Sequence, residues 1–277
     1  MYSIDELKIH AKNIRKNIIK MVAAAQSGHP GGSLSAVELL TWLYFNEMDI
    51  NKDNLKTTKR DRFVLSKGHA SPLLYAVLCE KGFLDESELV TFRAINSRLQ
   101  GHPNMNYVDG IDMTTGSLGQ GLSAAVGMAL ANRLDNSDRR VYCMVGDGES
   151  EEGQIWEAIM AAANFKLDNL CVMLDFNGLQ IDGEIIKVMN PTPFDSKYQA
   201  FGWHTILIDG HDYQAIEKAF AEARQTKGQP TVIIAKTIKG KGVSFMENEA
   251  AWHGSAPNPE QTAQALAEIE GAQYWEK

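Results

Sequence analysis

The chain has 277 residues, 44% of them apolar and 22% charged, with a formal net charge of −8 at pH 7. That composition excludes a disordered or fibrous chain, and the length suffices for one large domain or two small ones with a sizeable core. The acidic balance argues against coating a nucleic acid, which needs excess Lys and Arg to displace counterions, whereas an anionic small ligand needs only a local site. Cys79, Cys143 and Cys171 lie far apart in apolar runs without C-x-x-C spacing, which predicts reduced core residues. Charges scattered through Met1–Lys20 leave no signal-peptide stretch, so a cytoplasmic address is expected by default. The uncharged run between Asp112 and Arg133 contains Gly116, Gly119, Gly121, Gly127, Gln120 and Asn132, too polar to span a membrane, and reads as a buried loop and helix.

In chain order, Ser3-Ile-Asp-Glu6 is a capping box opening a helix with Leu7, Ile14, Ile18, Met21 and Val22 at helical spacing, ending near Ser27-Gly28. His29-Pro-Gly-Gly32 reads as a turn. Ser35-Ala-Val-Glu38 reads as a second capping box before a helix through Leu39, Leu40, Leu43 and Tyr44. A polar linker, Asn51 to Asp61, precedes a short strand at Arg62–Ser66, and Ser71–Cys79 reads as a helix with proline in its first turn. From Arg140 the rhythm changes: strands at Val141–Val145, Cys171–Asp175, Thr205–Ile208 and Thr231–Ala235 alternate with helices at Glu151–Asn164, Ser196–Phe201 and Asp212–Thr226. This alternation predicts an α/β fold, a parallel sheet flanked by helices on both faces, with the strand ends in one crevice. Ala256-Pro-Asn-Pro259 is a linker before a last polar helix, Glu260–Glu270.

Val145-Gly146-Asp147-Gly148 puts an aspartate between glycines where a strand turns into a helix, a place where ligands bind. The glycines let backbone approach a phosphate, and a helix N-terminus favours its charge. A lone carboxylate beside a diphosphate makes electrostatic sense only with a divalent cation between them, Mg²⁺ or Ca²⁺. Asn177, after the next strand, is the natural second ligand. Taken singly, Gly-Asp-Gly is also a tight turn and Asn177-Gly178 an ordinary turn dipeptide; on successive strand ends they point to a site. A nucleotide-binding α/β fold is the second reading, although no G-x-G-x-x-G follows a strand and no G-x-x-x-x-G-K-[ST] occurs.

Of seven histidines, His29, His69, His102 and His253 each adjoin glycine or proline in loops. Several neutral imidazoles in one cleft suit proton movement on ketose or polyol hydroxyls, while each alone fits a surface or structural role. No H-x-x-x-H spacing and no accompanying cysteine suggests zinc. Asp147, Glu149, Glu151 and Glu152 form an acidic cluster, but Glu149 to Glu152 fall in a first helical turn and read as dipole partners or solvated surface, leaving Asp147 and Glu152 as candidates. Ser66, Ser117 and Ser150 lack a nucleophile-elbow context. Lys236, Lys239 and Lys241, with Gly240 and Gly242, form a basic loop that either attracts phosphate or is solvated.

The Gly146–Gly148 turn with Asn177 resembles the thiamine diphosphate motif. Together with Ser27-Gly-His-Pro-Gly31, Ser66-Lys-Gly-His-Ala70, Gly101-His-Pro103 and Gly116-Ser-Leu-Gly-Gln-Gly121, it resembles the N-terminal, diphosphate-binding half of transketolase, from Ile4 to the Pro257–Pro259 linker. The resemblance implies a thiamine-diphosphate-binding PP domain over 1–255, with linker and C-terminal helix over 256–277. It further implies that Asp147, Asn177 and the Leu179 carbonyl hold Mg²⁺ or Ca²⁺, and that His69 and the Gly148 N–H contact the diphosphate. Gly116, Ser117 and Leu118 would approach the aminopyrimidine, and Glu149 and Asn177 would belong to the cofactor-binding set. His29, His102 and His253 would line the substrate channel, and Glu152 would join a carboxylate network coupling two active sites. The implied reaction moves a two-carbon ketol unit from a ketose or ketose phosphate to an aldose, the cofactor supplying the carbanion chemistry.

A full transketolase is more than twice as long, and the pyrimidine-binding and C-terminal domains are absent. The expected partner is therefore a C-terminal transketolase subunit in an α₂β₂ assembly, with sugar or sugar-phosphate substrates and neither nucleic acid nor membrane. The Lys236–Gly242 loop and Trp252-His253-Gly254 are closer to split transketolases and deoxyxylulose-phosphate synthase. Two alternatives are the α-subunit of a thiamine-dependent 2-oxo acid dehydrogenase and a non-catalytic cofactor-binding paralogue.

Overall fold

The structure, a computed structural model, describes residues 1–271; the end of the 256–277 segment, residues 272–277, lies outside the described residues. The first capping box forms as its spacing predicts. The Glu6 N–H donates to Ser3 Oγ at 3.3 Å and the Ser3 N–H to the Glu6 carboxylate at 2.7 Å, opening α1 (Ile4–Ala25). The predicted turn at His29–Gly32 is instead the start of a short helix, α2 (Pro30–Leu34), with proline at its first position. The second capping box does not form. Helix α3 (Val37–Trp42) starts two residues after Ser35 without a side-chain cap. Ser35 Oγ donates to the Asp175 carboxylate at 2.6 Å, and Glu38 pairs with Arg15 at 2.6 Å and His211 at 2.9 Å. Buried long-range partners outcompete the local cap.

The remaining elements are β1 (Arg62–Leu65), α4 (Ser71–Glu80), α5 (Gln120–Leu134), β2 (Val141–Gly146), α6 (Gly153–Asn164), β3 (Leu170–Phe176), a small hairpin β4 (Leu179–Gln180) and β5 (Gly183–Glu184), α7 (Ile185–Val188), α8 (Phe194–Ala200), β6 (His204–Asp209), α9 (Tyr213–Gln225), β7 (Thr231–Lys236) and α10 (Pro259–Glu270). The long strands and helices of the second half thus lie where the sequence places them. The helix expected from Glu151 is interrupted: a 3₁₀ turn covers Gly148–Glu151 and Glu152 adopts an extended conformation before α6.

The sheet has 5 strands in the order β1-β2-β3-β7-β6, every neighbouring pair parallel. Alternate residues of each strand enter separate cores, as the pleat requires. Tyr142, Met144, Cys171, Met173, Ile233 and Ala235 pack with residues of α1, α3, α4 and α9. Cys143, Val145, Val172, Leu174, Val232 and Ile234 pack with residues of α5, α6 and α8 on the other face. Each fully buried aliphatic side chain contributes roughly 1.5–3 kcal/mol, and double coverage explains why these strands read as continuous apolar runs. Cys143 and Cys171, on neighbouring strands but one residue out of register, face opposite cores; both are buried thiols, whereas Cys79 is half-buried. Helix α10 lies along α1, and its Ala265 and Ile269 join the first core. Among the described residues no helix is long and apolar enough to cross a membrane.

Candidate active site

Four adjacent strands release their chains at one end of the sheet. Lys67 and His69 follow β1, Asp147 follows β2, Asn177 follows β3, and Lys239 lies just past β7. These ends are the crevice where α/β proteins bind ligands. Here they surround a cavity of about 320 Å³ lined by His29, His69, His102, His253, Gly116, Leu118, Asp147, Gly148, Glu149, Asn177 and Leu179 from the predicted set. Ser117 and Glu152 do not line it; both are exposed at its margin, Glu152 packed beside Gly119.

Three histidines from distant loops form a triangle. Ring centroids lie 5.3 Å apart for His29 and His69, 5.4 Å for His29 and His253, and 5.2 Å for His69 and His253. His102 also lines the cavity and packs against Gly116, where any Cβ would come within 3.0 Å of its ring and where φ is +144°. Burial and neighbouring cations depress all four pKa values: His29 to about 4 and His253 to about 3, His69 well below its ordinary value, His102 less far. The cluster is therefore neutral at pH 7, a set of hydrogen-bonding groups able to hold and pass protons. His29 Nδ1 is buried without a hydrogen-bond partner, an unmet polar atom at the cavity.

Below the histidines, Asp147 is buried. Its carboxylate accepts the Gly148 N–H at 2.8 Å and the Gly178 N–H at 2.5 Å. Burial and the neighbouring Asp175 charge outweigh these donors and Lys239, pushing its pKa up to about 7. Asn177 Oδ1 accepts the Leu179 N–H at 3.1 Å, while its Nδ2 donates to Asp175 at 3.2 Å. Among the described residues no group of three or more His, Cys, Asp or Glu is gathered as a metal site. The expected set, one carboxylate, one amide and one carbonyl, is of another kind, and its oxygen donors suit Mg²⁺ or Ca²⁺. A buried carboxylate with an amide oxygen and a carbonyl beside it is a donor set that fits a divalent ion. The Gly148 N–H is already engaged by Asp147, so a diphosphate there would share that donor.

Glu149 departs from its reading as a solvated dipole partner. It is buried, and its carboxylate accepts Ser66 Oγ–H at 2.5 Å, the Gly119 N–H at 2.9 Å and the Gly146 N–H at 2.9 Å, tying together the ends of β1, β2 and the loop before α5. The basic loop is divided: Lys236 is exposed, Lys241 pairs with Glu247 at 3.7 Å, and Lys239 enters the cavity. Lys239 Nζ donates to the Leu179 carbonyl at 3.2 Å and sits 3.0 Å from His253 Nδ1. Lys67 joins the site although the sequence marks it only by its place inside Ser66-Lys-Gly-His-Ala70. It is buried, lines the cavity floor and donates to Asp175 and, at 2.7 Å, to the Gly32 carbonyl. Asp175 also accepts from Thr237 and Ser35, so one buried carboxylate braces β3, β7 and α2–α3 under the site.

The family profile described as "Transketolase, thiamine diphosphate binding domain" matches residues 7–273. The chain belongs to the transketolase family. It is 45% identical to the 6-deoxy-6-sulfo-D-fructose transketolase subunit SqwG of Clostridium sp. (strain MSTE9), covering 96% of each chain. It is 42% identical to an apulose-4-phosphate transketolase subunit of Phocaeicola vulgatus, covering 96% of this chain and 94% of that one. Human transketolase is 44% identical over 95% of this chain, which spans only 42% of it. The transketolase structure from Campylobacter jejuni superposes with a TM-score of 0.91 at 35% identity, covering 97% of this chain and 43% of that one. The parallel α/β fold and the thiamine diphosphate expectation thus stand, and the chain is the N-terminal, cofactor-binding part of a transketolase.

Proposed function

We propose that this chain is the diphosphate-binding subunit of a two-chain transketolase, moving a two-carbon ketol unit from a ketose phosphate to an aldose. The observation that carries this reading is the end-to-end match to two relatives named as transketolase subunits, on a chain whose histidines and Asp147 surround one cavity. Such a subunit works with a second polypeptide bearing the pyrimidine-binding and C-terminal domains, as an α₂β₂ heterotetramer in the cytoplasm.

Asp147, the Asn177 amide oxygen and the Leu179 carbonyl would hold Mg²⁺ or Ca²⁺, whose charge would offset that of a diphosphate. His69 and Gly148 would contact the diphosphate, and Gly116, Ser117 and Leu118 would flank the aminopyrimidine. Bound thiamine diphosphate supplies the nucleophilic carbon and electron sink of ketol transfer. His29, His102 and His253 bind substrate hydroxyls. Their depressed pKa values keep them neutral, so His29 and His102 can each accept and donate as protons leave one oxygen and reach another, while His253, its Nδ1 taken by Lys239, donates through Nε2. Glu149 braces the cofactor cradle, and Glu152 joins a carboxylate network coupling two active sites.

The test is purification of the tagged chain from its native host, identification of stoichiometric partners by mass spectrometry, and assay of the complex with thiamine diphosphate and Mg²⁺. A one-to-one pyrimidine-domain partner and aldose-dependent ketose cleavage are expected. Decarboxylation of a 2-oxo acid instead would assign the complex to the dehydrogenases. A chain that emerges alone and binds the cofactor without turnover would make it a binding protein.

A further inference from the structure

A lysine ammonium ends a flexible stem, so placing it 3.0 Å from His253 Nδ1 and 3.2 Å from the Leu179 carbonyl requires a fixed backbone beneath Lys239. Part of that fixing comes from beside the histidines. The Gly240 N–H donates to the Gly31 carbonyl at 3.0 Å, and the Lys239 stem lies against Gly31, where an added Cβ would meet it at 3.0 Å. The rest comes from three side chains that do not line the cavity. His211, in the turn between β6 and α9, accepts the Ile238 N–H on Nε2 at 2.9 Å. Arg15, in the middle of α1, donates from Nε to the Lys241 carbonyl at 3.1 Å. The chain is thus gripped one residue before Lys239 and two residues after it.

Glu38 of α3 ties the two grips together. One of its carboxylate oxygens receives Arg15 Nη2 at 2.6 Å and the other receives His211 Nδ1 at 2.9 Å, with Arg15 and Glu38 both buried. A backbone N–H only donates, so His211 Nε2 is the acceptor and the ring proton lies on Nδ1, facing the carboxylate. A carboxylate behind a histidine fixes its tautomer and its ring plane, the means by which an outer group orients an inner one. His211 and His253 are therefore opposite tautomers: Nδ1 donates to Glu38 in the first and accepts from Lys239 in the second.

We propose that Arg15, Glu38 and His211 are positioning residues that fix the turn over residues 238–241, and so hold the Lys239 ammonium on His253 Nδ1 and leave His253 to offer its Nε2–H to substrate. The inference rests on the ketol-transfer reading for its substrate end and carries the determinants of His253 orientation to side chains outside the cavity.

The first test reads the uniformly ¹⁵N-labelled chain by long-range ¹H–¹⁵N correlation at neutral pH. His211 is expected in the Nδ1–H form, with a scalar coupling across the bond from the Ile238 N–H to Nε2, and His253 in the Nε2–H form. A His211 carrying its proton on Nε2, or on both nitrogens, overturns the proposal without recourse to any variant. In His211→Phe, which keeps a ring and removes both polar atoms, the His253 Nδ1 resonance is expected to move toward that of an unbonded ring nitrogen. His211→Gln, whose amide both accepts and donates, is expected to restore it. In the complex with the pyrimidine-domain partner, and with the ketose and aldose that the wild-type complex turns over, His211→Phe is expected to lower kcat about 10- to 100-fold, the range for outer partners that orient a functional group, with His211→Gln recovering most of it. Adding His211→Phe to Lys239→Met is expected to cost less than about 2-fold more than Lys239→Met alone, since both act through one ammonium. A multiplicative double variant, an unchanged kcat, or an unmoved His253 resonance in His211→Phe overturns the proposal. The resonances need no turnover, so a wild-type complex inactive in ketol transfer refutes the enzymatic reading while they still decide the positioning.

Discussion

Lys239 Nζ lies 3.0 Å from Nδ1 of His253. A lysine ammonium only donates, so Nδ1 is the acceptor and the imidazole proton resides on Nε2. Lys239 thereby sets the tautomer of a histidine whose ring also packs against His29 and His69. Replacing Lys239 with Met removes a cation that, after burial, is the leading cause holding the His253 pKa at about 3. Losing a neighbouring positive charge favours the protonated imidazole, so the His253 pKa is expected to rise, read by NMR titration of its ring protons; an unchanged value would dissolve the coupling.

Asp147→Asn keeps the shape of the turn after β2 and removes the carboxylate charge. Loss of a principal ligand is expected to weaken Mg²⁺-dependent thiamine diphosphate binding to the assembled complex by at least about 100-fold, measured by calorimetry with and without chelator. Retained affinity would remove Asp147 from the cation site.

His102 lies against Gly116 and lines the same cavity as the histidine triangle. For His102→Ala the expected pattern is about a 100-fold drop in ketol transfer, the range of a lost acid–base group, with the cofactor dissociation constant changed by less than about 3-fold. The opposite split would place His102 on the cofactor.

Glu38 tests the fold. Burial alone would raise its pKa, yet the Arg15 guanidinium and His211 hold it at about 2 against an ordinary value of 4.5. A carboxyl depressed by folding stabilises above its unfolded pKa and loses that contribution as the pH falls from about 5 toward 2, worth on the order of 3 kcal/mol. Denaturant melts of wild type and Glu38→Gln should therefore differ most at neutral pH and converge toward pH 2; parallel curves would show that the pair adds nothing.

Gly121, in the first turn of α5, faces the end of β1, where an added Cβ would lie 2.7 Å from the Ser66 Cα. Backbone cannot yield as a side chain tip does, so Gly121→Ala is expected to destabilise the chain by about 1–3 kcal/mol in chemical denaturation. A neutral result would mean that α5 moves freely from the sheet.

Much of this was legible from spacing alone. Periodicity and the Ser3–Glu6 box gave α1, apolar runs gave β2, β3, β6 and β7, and Asp147 with Asn177 marked adjacent strand ends. What local pattern could not carry were side chains recruited over long distances. Ser35 and Glu38 have the spacing of a cap but serve Asp175, Arg15 and His211. Glu149 has the position of a dipole partner but is buried, accepting from the Ser66 hydroxyl and the Gly119 N–H, both far away in sequence, as well as from the nearby Gly146 N–H. Lys67 and Lys239 look like ordinary basic residues until tertiary packing turns them into the cavity.

The site-bearing loops leave strands that are hydrogen-bonded neighbours in fixed parallel register, Gly146 beside Asp175 and Asp175 beside Ala235. All of those strands belong to this one chain, so the distances among Asp147, Asn177 and Lys239 are set by its own folding. The floor beneath the histidines is thus prefabricated by a single sheet, its geometry settled by the folding of this chain alone.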